Sequence, residues 1–69
     1  MYTLIIRDTF FRVIDGFTDC TLFNVFSLIP YFMRDMRAWY ITVTLQGERE
    51  YTVLRLCYTE NSESWHVVV

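Results

Sequence analysis

The residues best suited to chemistry in this chain are one histidine, two cysteines and scattered carboxylates. His66 is the only histidine, and Cys20 and Cys57 lie 37 positions apart (57 − 20). General acid–base catalysis needs a histidine within reach of a nucleophile or a carboxylate, and a zinc site needs several ligands at recognisable spacing. The sequence has neither pattern, so it predicts no catalytic residue, no metal site and no cofactor. We interpret His66 as a strand residue that faces solvent or a partner.

The two cysteines are predicted to be free thiols. Cys20 falls on the outward half of the predicted helix, whereas Cys57 alternates onto the sheet face that the helix leaves open. The sheet would lie between them, which is incompatible with the short Cα separation of a disulfide. Free thiols, and a start without a basic leader and long apolar segment, predict a cytoplasmic protein.

Carboxylates and glycines add no catalytic pattern. Glu48 and Glu50 lie at the predicted tip of a hairpin, where side chains are usually solvated, although an acidic tip could meet a basic partner. Gly16 and Gly47 are the only glycines, too few for a loop that cradles phosphate. We therefore expect a protein that is not an enzyme.

A β-hairpin from Trp39 to Tyr58 is the strongest structural pattern in the sequence. Apolar and polar residues alternate on both sides of Gly47, which is typical of strands with one buried face. Gly47 at the first central position favours a two-residue type II′ turn. This turn sets the predicted register: Trp39 opposite Leu56, Ile41 opposite Leu54, Val43 opposite Thr52, Tyr40 opposite Arg55 and Thr44 opposite Tyr51.

Three further strands are predicted outside the hairpin. Tyr2 to Arg7 forms the first, and Phe10 to Asp15 forms the second, ended by Gly16; a short helix is the alternative for residues 10–15. After a polar loop at residues 59–64, the segment from Trp65 to Val69 forms the last strand.

One helix is predicted between the second strand and the hairpin, with Asp19 as the favoured N-cap. At 100° per residue, its apolar residues fall within about a 120° arc that would face the sheet. Pro30 either kinks this helix, or ends it near Leu28 and begins a second short turn. The residues assigned to the sheet-facing arc are Leu22, Val25, Phe26, Ile29, Phe32 and Met33.

The element order β-β-α-β-β-β predicts a single α+β domain over residues 1–69, a two-layer sandwich of an antiparallel sheet of about five strands with one helix on one face. The helix would leave the other sheet face open for a partner. Because Tyr and Arg supply much of the energy of interfaces, we predict a partner-binding surface on that face and at the hairpin tip. Its residues are Tyr40, Tyr51, Val53, Arg55, His66, Glu48 and Glu50. The alternative binding surface is a side of the helix formed by Phe23, Leu28 and Tyr31.

Composition supports a binding role. The chain is 54% hydrophobic and 19% aromatic, more than one small core readily hides, and surplus apolar surface usually marks an interface. The net charge of −2 argues against nucleic acid and anionic membranes as partners, and the apolar stretch from Leu22 to Met33 is too short to span a bilayer.

We therefore expect a non-catalytic module that occludes or bridges a protein partner, or associates with itself as a homodimer. Its size and charge are those of virus or mobile-element accessory proteins that inhibit host defence, including inhibitors of CRISPR or restriction systems. The alternative is a small single-stranded nucleic-acid-binding protein in which Tyr40, Tyr51 and Arg55 stack on bases.

Overall fold

The computed structural model of the protein describes residues 1–68. The elements in chain order are β1 (Tyr2–Arg7), β2 (Val13–Cys20), α1 (Leu22–Met33), β3 (Tyr40–Leu45), β4 (Tyr51–Thr59) and β5 (Ser64–Val67). All neighbouring strands pair antiparallel, in the order β2-β1-β3-β4-β5. One helix and a five-stranded antiparallel sheet confirm the predicted α+β class.

The core lies between α1 and the face of the sheet formed mainly by β1 and β3. Leu4 and Ile6 of β1 are fully buried and pair with Val43 and Ile41 of β3. Directly opposed residues of antiparallel strands point to the same face, so these four side chains form one layer beneath the helix. The other buried apolar residues are Cys20, Val25, Ile29, Phe32, Ala38 and Leu56.

The second strand begins later than predicted, because residues 8–12 form a turn. The Asp8 carboxylate accepts hydrogen bonds from the backbone N–H groups of Phe10 and Arg12, each at 2.9 Å. Phe11 adopts a left-handed backbone conformation, with φ of 63°. β2 therefore starts at Val13 and runs through Gly16, which does not end the strand.

The helix cap is Thr21, not the predicted Asp19. Asp19 has a φ of 55°, at a point where the β1–β2 register is irregular, so it belongs to the end of β2. The Thr21 hydroxyl accepts a hydrogen bond from the Asn24 N–H at 3.2 Å, and the Asn24 side-chain oxygen accepts one from the Thr21 N–H at 3.2 Å. This reciprocal capping box satisfies two backbone donors of the first turn.

Pro30 lies inside α1, which continues to Met33. The alternative in which the helix ends near Leu28 is therefore wrong. Pro30 lacks an N–H group and cannot donate to the Phe26 carbonyl oxygen. It lies on an exposed side of the helix, where water can solvate that oxygen.

The central hairpin forms, but its register and loop differ from the prediction. Ile41 pairs with Leu56, and Val43 pairs with Leu54. Residues 46–50 connect the strands, and Gly47 does not have a positive φ, so the loop is not the two-residue type II′ turn. From Tyr40 to Val43 the register differs from the predicted one by two residues, which preserves the faces. Ile41, Val43, Leu54 and Leu56 therefore point to the face predicted for them despite the wrong turn.

The last strand is shorter than predicted. β5 covers Ser64–Val67, and the backbone N–H of Val68 donates to the carbonyl oxygen of Arg55 at 2.8 Å. Val69, which the sequence placed at the end of this strand, lies outside the described residues.

Candidate functional site: the uncovered half of the helix-side sheet face

Tyr40 and His66 lie on the sheet face opposite α1, as predicted, but in a different row. Both pair with Cys57, so Tyr40, Cys57 and His66 form one line across β3, β4 and β5. Arg55 pairs with Thr42 rather than with Tyr40. Tyr40 and Arg55, which were predicted to lie directly opposite each other, are therefore offset by two residues along β4.

The turn at residues 8–12 folds over Tyr40 and partly covers it. The ring centres of Phe11 and Tyr40 are 5.2 Å apart. The Arg7 guanidinium carbon lies 4.6 Å from the centre of the Phe11 ring, and Arg7 donates a hydrogen bond to the Phe11 carbonyl oxygen at 3.0 Å. This cluster leaves Tyr40 half-buried. Sequence reasoning missed it because it depends on the left-handed conformation of Phe11.

Tyr51 lies on the opposite face from its predicted position. The β3–β4 register shifts after Val43, with Val53 as the extra residue, so that Tyr51 pairs with Leu45. Leu45 alternates with the buried Val43 and therefore points to the α1 side of the sheet. The extra residue interrupts the alternation of β4, so Tyr51 and Thr52 point to the faces opposite to those that strict alternation with Leu54 and Leu56 predicts.

The remaining predicted residues do not complete one surface. Val53 is exposed at the bulge, and Glu48 and Glu50 are exposed in the hairpin loop. Glu48 and Tyr51 line a hollow of about 390 Å³ at the end of β3 and β4. The predicted set is therefore divided between the open face, the bulge and the hairpin loop.

His66 has hydroxyl partners that the sequence analysis did not identify. The Oγ of Ser62 lies 2.6 Å from the His66 Nε2, and the Oγ of Ser64 lies 3.3 Å from it. A serine–histidine contact resembles part of a nucleophile–base arrangement, but a triad also requires a group that orients the base. Within residues 1–68, the hydrogen bonds of the ring are with these two serines, and no group of three potential metal ligands occurs.

Both cysteines are free, as predicted. Cys20 is buried in the core at the end of β2, and Cys57 is half-buried at the centre of the open-face row. Cys20 therefore belongs to a strand and not to the outward side of the helix.

A different surface is exposed on the α1 side of the sheet, because burial decreases steadily toward β5. Ile41 of β3 is fully buried and Leu56 of β4 nearly so, whereas Val67, which pairs with Leu56, is 62% exposed. Leu54 of β4 is only half-buried. We call the surface formed by Tyr51, Leu54 and Val67 the uncovered strip.

The helix leaves this strip bare because it packs over β1 and β2. Asn24, Ser27 and Leu28 line a hollow with Phe17 and Cys20 of β2, so this flank of α1 faces that edge of the sheet. The opposite flank of α1 is turned away from β2 and remains exposed. Its residues, which we call the helix flank, are Leu22, Phe26 and Met33.

The exposure of the helix flank shows that half of the predicted sheet-facing arc does not face the sheet. Val25, Ile29 and Phe32 are buried as predicted, but Phe26 is 66% exposed and Leu22 and Met33 are also exposed. The buried direction is rotated toward Leu28, which is half-buried. Phe23, 78% exposed, lies beside the flank on the side of α1 that faces away from the sheet.

Aromatic side chains close one end of the uncovered strip. The rings of Trp39 and Trp65 both meet Tyr58 edge-on, with centre-to-centre distances of 5.5 and 5.8 Å. Together with Met33 and Ala38 they line a hollow of about 340 Å³. The strip therefore has a defined end, at the C-terminus of α1.

Two charged residues near this end, Asp35 and Arg37, pair with each other. The Asp35 carboxylate accepts hydrogen bonds from the Arg37 side chain at 3.0 and 3.3 Å and from the Arg37 N–H at 2.9 Å. The side-chain hydrogen bonds from Arg37, followed by the backbone one, lower the pKa of Asp35. Asp35 and Arg37 thus form a polar border beside an apolar surface.

Comparisons of the chain with protein-family models, with curated proteins and with solved structures find no match. Among residues 1–68, no helix has the length and apolar character needed to cross a membrane.

Proposed function

We propose that the protein is a non-catalytic protein-binding module that occludes or bridges a protein partner, and that it binds through the helix flank and the uncovered strip. The observation that carries this proposal is the exposure of Phe26 on the flank of α1 turned away from β2, together with that of Tyr51 and Val67 on the same side of the sheet. Large apolar side chains grouped on one side of a monomer usually mark an interaction surface. A role as an inhibitor of host defence stays a prediction from size and charge.

The composition of this surface fits a protein better than a nucleic acid. Leu22, Phe26, Leu54 and Val67 offer apolar contact area, while charged residues such as Asp35 lie outside the strip. Interfaces between proteins have this arrangement of an apolar centre and a polar rim. The residues proposed to stack on bases do not form one platform, because Tyr51 and Arg55 lie on opposite faces.

Site-specific photocrosslinking tests the proposal. A photoreactive amino acid replaces Phe26 in one variant and Tyr31 in the matched control, and both variants are expressed in the native host. Tyr31 is also exposed but lies about 140° around the helix from Phe26. We expect discrete protein adducts from position 26 and few from position 31. Equal labelling at both positions, or no adduct at position 26, would rule out this surface as the binding site.

A further inference from the structure

We infer that the surface is covered by a second copy of the chain. Two copies would pack about a twofold axis so that both α1 helices lie side by side between the two sheets. Each helix would then cover its own β1 and β2 and the uncovered strip of the other copy. This inference rests on the proposed function and names the partner of the same surface.

The width of the apolar surface of α1 supports two-sided burial. At 100° per residue, its apolar positions extend over about 220°, from Leu28 through Ile29 and Phe26 to Phe23. A helix on the surface of a globular domain needs an apolar stripe of only about 100°. The sheet of the same chain buries the part around Val25 and Ile29. The rest of the apolar arc of α1 is left for a second layer of protein to cover.

At Val67 the uncovered strip has the width of one helix. There it spans β4 and β5, which pair from Leu56 to Thr59, and strands lie about 4.8 Å apart, so the strip is roughly 10 Å wide. Tyr51 and Leu54 lie on β4 beyond this paired stretch. An α-helix with its side chains is about 10–12 Å in diameter. Each copy therefore provides one helix and space for one more. A twofold axis places the same surface on both sides of the interface. The helix of each copy can therefore occupy the space on the other copy.

Exposed aromatic side chains supply much of the area that a stable dimer buries. Phe23, Phe26 and Tyr51 are 78%, 66% and 57% exposed. At about 200 Å² for each aromatic side chain, they expose roughly 400 Å² together. A standard interface buries about 800 Å² on each partner. Three side chains thus supply about half of this area before the aliphatic residues are counted.

The surface lacks charge where the twofold axis would pass. A twofold axis places each side chain near its own copy, so a charged centre would put like charges together. Leu22, Phe26, Leu54 and Val67 are all uncharged. Glu48 and Glu50 lie in the hairpin loop at the margin of the surface, where water screens them.

Sedimentation equilibrium of the purified chain tests the dimer. We expect a mass of twice 8.4 kDa for the unmodified protein. Phe26→Asp should raise the dissociation constant by at least about 30-fold, the effect of losing a strong interface residue. Phe10→Asp is the matched control, since Phe10 is 77% exposed in the turn at residues 8–12, and it should leave the mass unchanged. Circular dichroism establishes that each variant is folded.

Cysteine crosslinking tests the helix arrangement. In a Cys20→Ala, Cys57→Ser background, Phe26→Cys should link two copies through a short bis-maleimide, whereas Tyr31→Cys should not. A chain that stays monomeric at its highest attainable concentration would overturn the dimer, as would equal crosslinking at both positions. If the photoreactive residue at position 26 then captures only a different protein, the proposed function stands and the second copy is excluded.

Discussion

The indole N–H of Trp65 donates a hydrogen bond to the backbone carbonyl oxygen of Met33 at 3.1 Å. Met33 is the last residue of α1, and the final carbonyl groups of a helix lack partners within it. This bond therefore ties the free end of α1 to the edge strand β5. The same strand contributes Val67 to the uncovered strip.

Trp65→Phe should destabilise the protein by about 1 kcal/mol more than Trp39→Phe does. Both substitutions shrink a ring that meets Tyr58, but only the first removes the hydrogen bond to Met33. Chemical denaturation of both variants, each in the monomeric Phe26→Asp background, measures the difference. Equal free energies of unfolding would show that the bond does not stabilise the fold.

Thr21→Ala should cost about 1 kcal/mol, because the capping box at the start of α1 loses its hydroxyl acceptor. Asp19→Asn is the matched control at the residue that the sequence favoured as the cap. Asn tolerates the left-handed conformation of Asp19, so this change should stay within about 0.5 kcal/mol. Thermal unfolding compares the two variants. A Thr21→Ala variant as stable as the native protein would show that Thr21 does not cap the helix.

The fold class was predictable because it depends on side-chain periodicity. Ile41 and Val43 alternate with threonines, and this alternation survives a register error of two residues. The turn at residues 8–12 was not predictable from the same pattern. There, the Asp8 carboxylate organises the backbone and holds Phe11 in a conformation that aromatic residues rarely adopt.

The candidate surface was harder to predict, because periodicity does not say where on a sheet a helix lies. Phe26 and Val25 are both apolar positions of α1, and the sequence assigned both to the core. The structure buries Val25 and exposes Phe26, since the helix packs toward β2 and not over the centre of the sheet. The apolar arc of α1, wider than one sheet requires, was the available signal.

Gly47→Ala distinguishes the observed hairpin loop from the predicted turn. Gly47 does not have a positive φ, and an added Cβ would come no closer than 3.9 Å to the Arg49 carbonyl oxygen. The substitution should therefore be neutral or stabilise the protein by up to about 1 kcal/mol, because it restricts the unfolded chain. A type II′ turn would instead lose stability on this change. Denaturant midpoints of the two proteins decide between these outcomes.

Asp8 should make the turn at residues 8–12 sensitive to acid. The hydrogen bond from the Arg12 backbone N–H is the largest influence that lowers the pKa of Asp8 below its ordinary value of 3.8, with further help from the Phe10 N–H and the Arg12 side chain. A carboxyl group with a lowered folded-state pKa stabilises the protein above its unfolded pKa, and this contribution is lost as the pH falls through the folded value. The difference in melting temperature between the native protein and Asp8→Asn should therefore be constant near neutral pH and shrink below pH 3.8.

Arg12→Gln separates the two kinds of contact that Asp8 makes. It removes the ion pair with the Asp8 carboxylate at 3.1 Å but keeps the backbone N–H at position 12. Since that N–H is the largest influence on the pKa of Asp8, the difference in melting temperature between Arg12→Gln and the double variant Arg12→Gln, Asp8→Asn should keep most of its dependence on pH. Complete loss of the pH dependence in this background would show that the guanidinium group, not the backbone, holds the carboxylate in the turn.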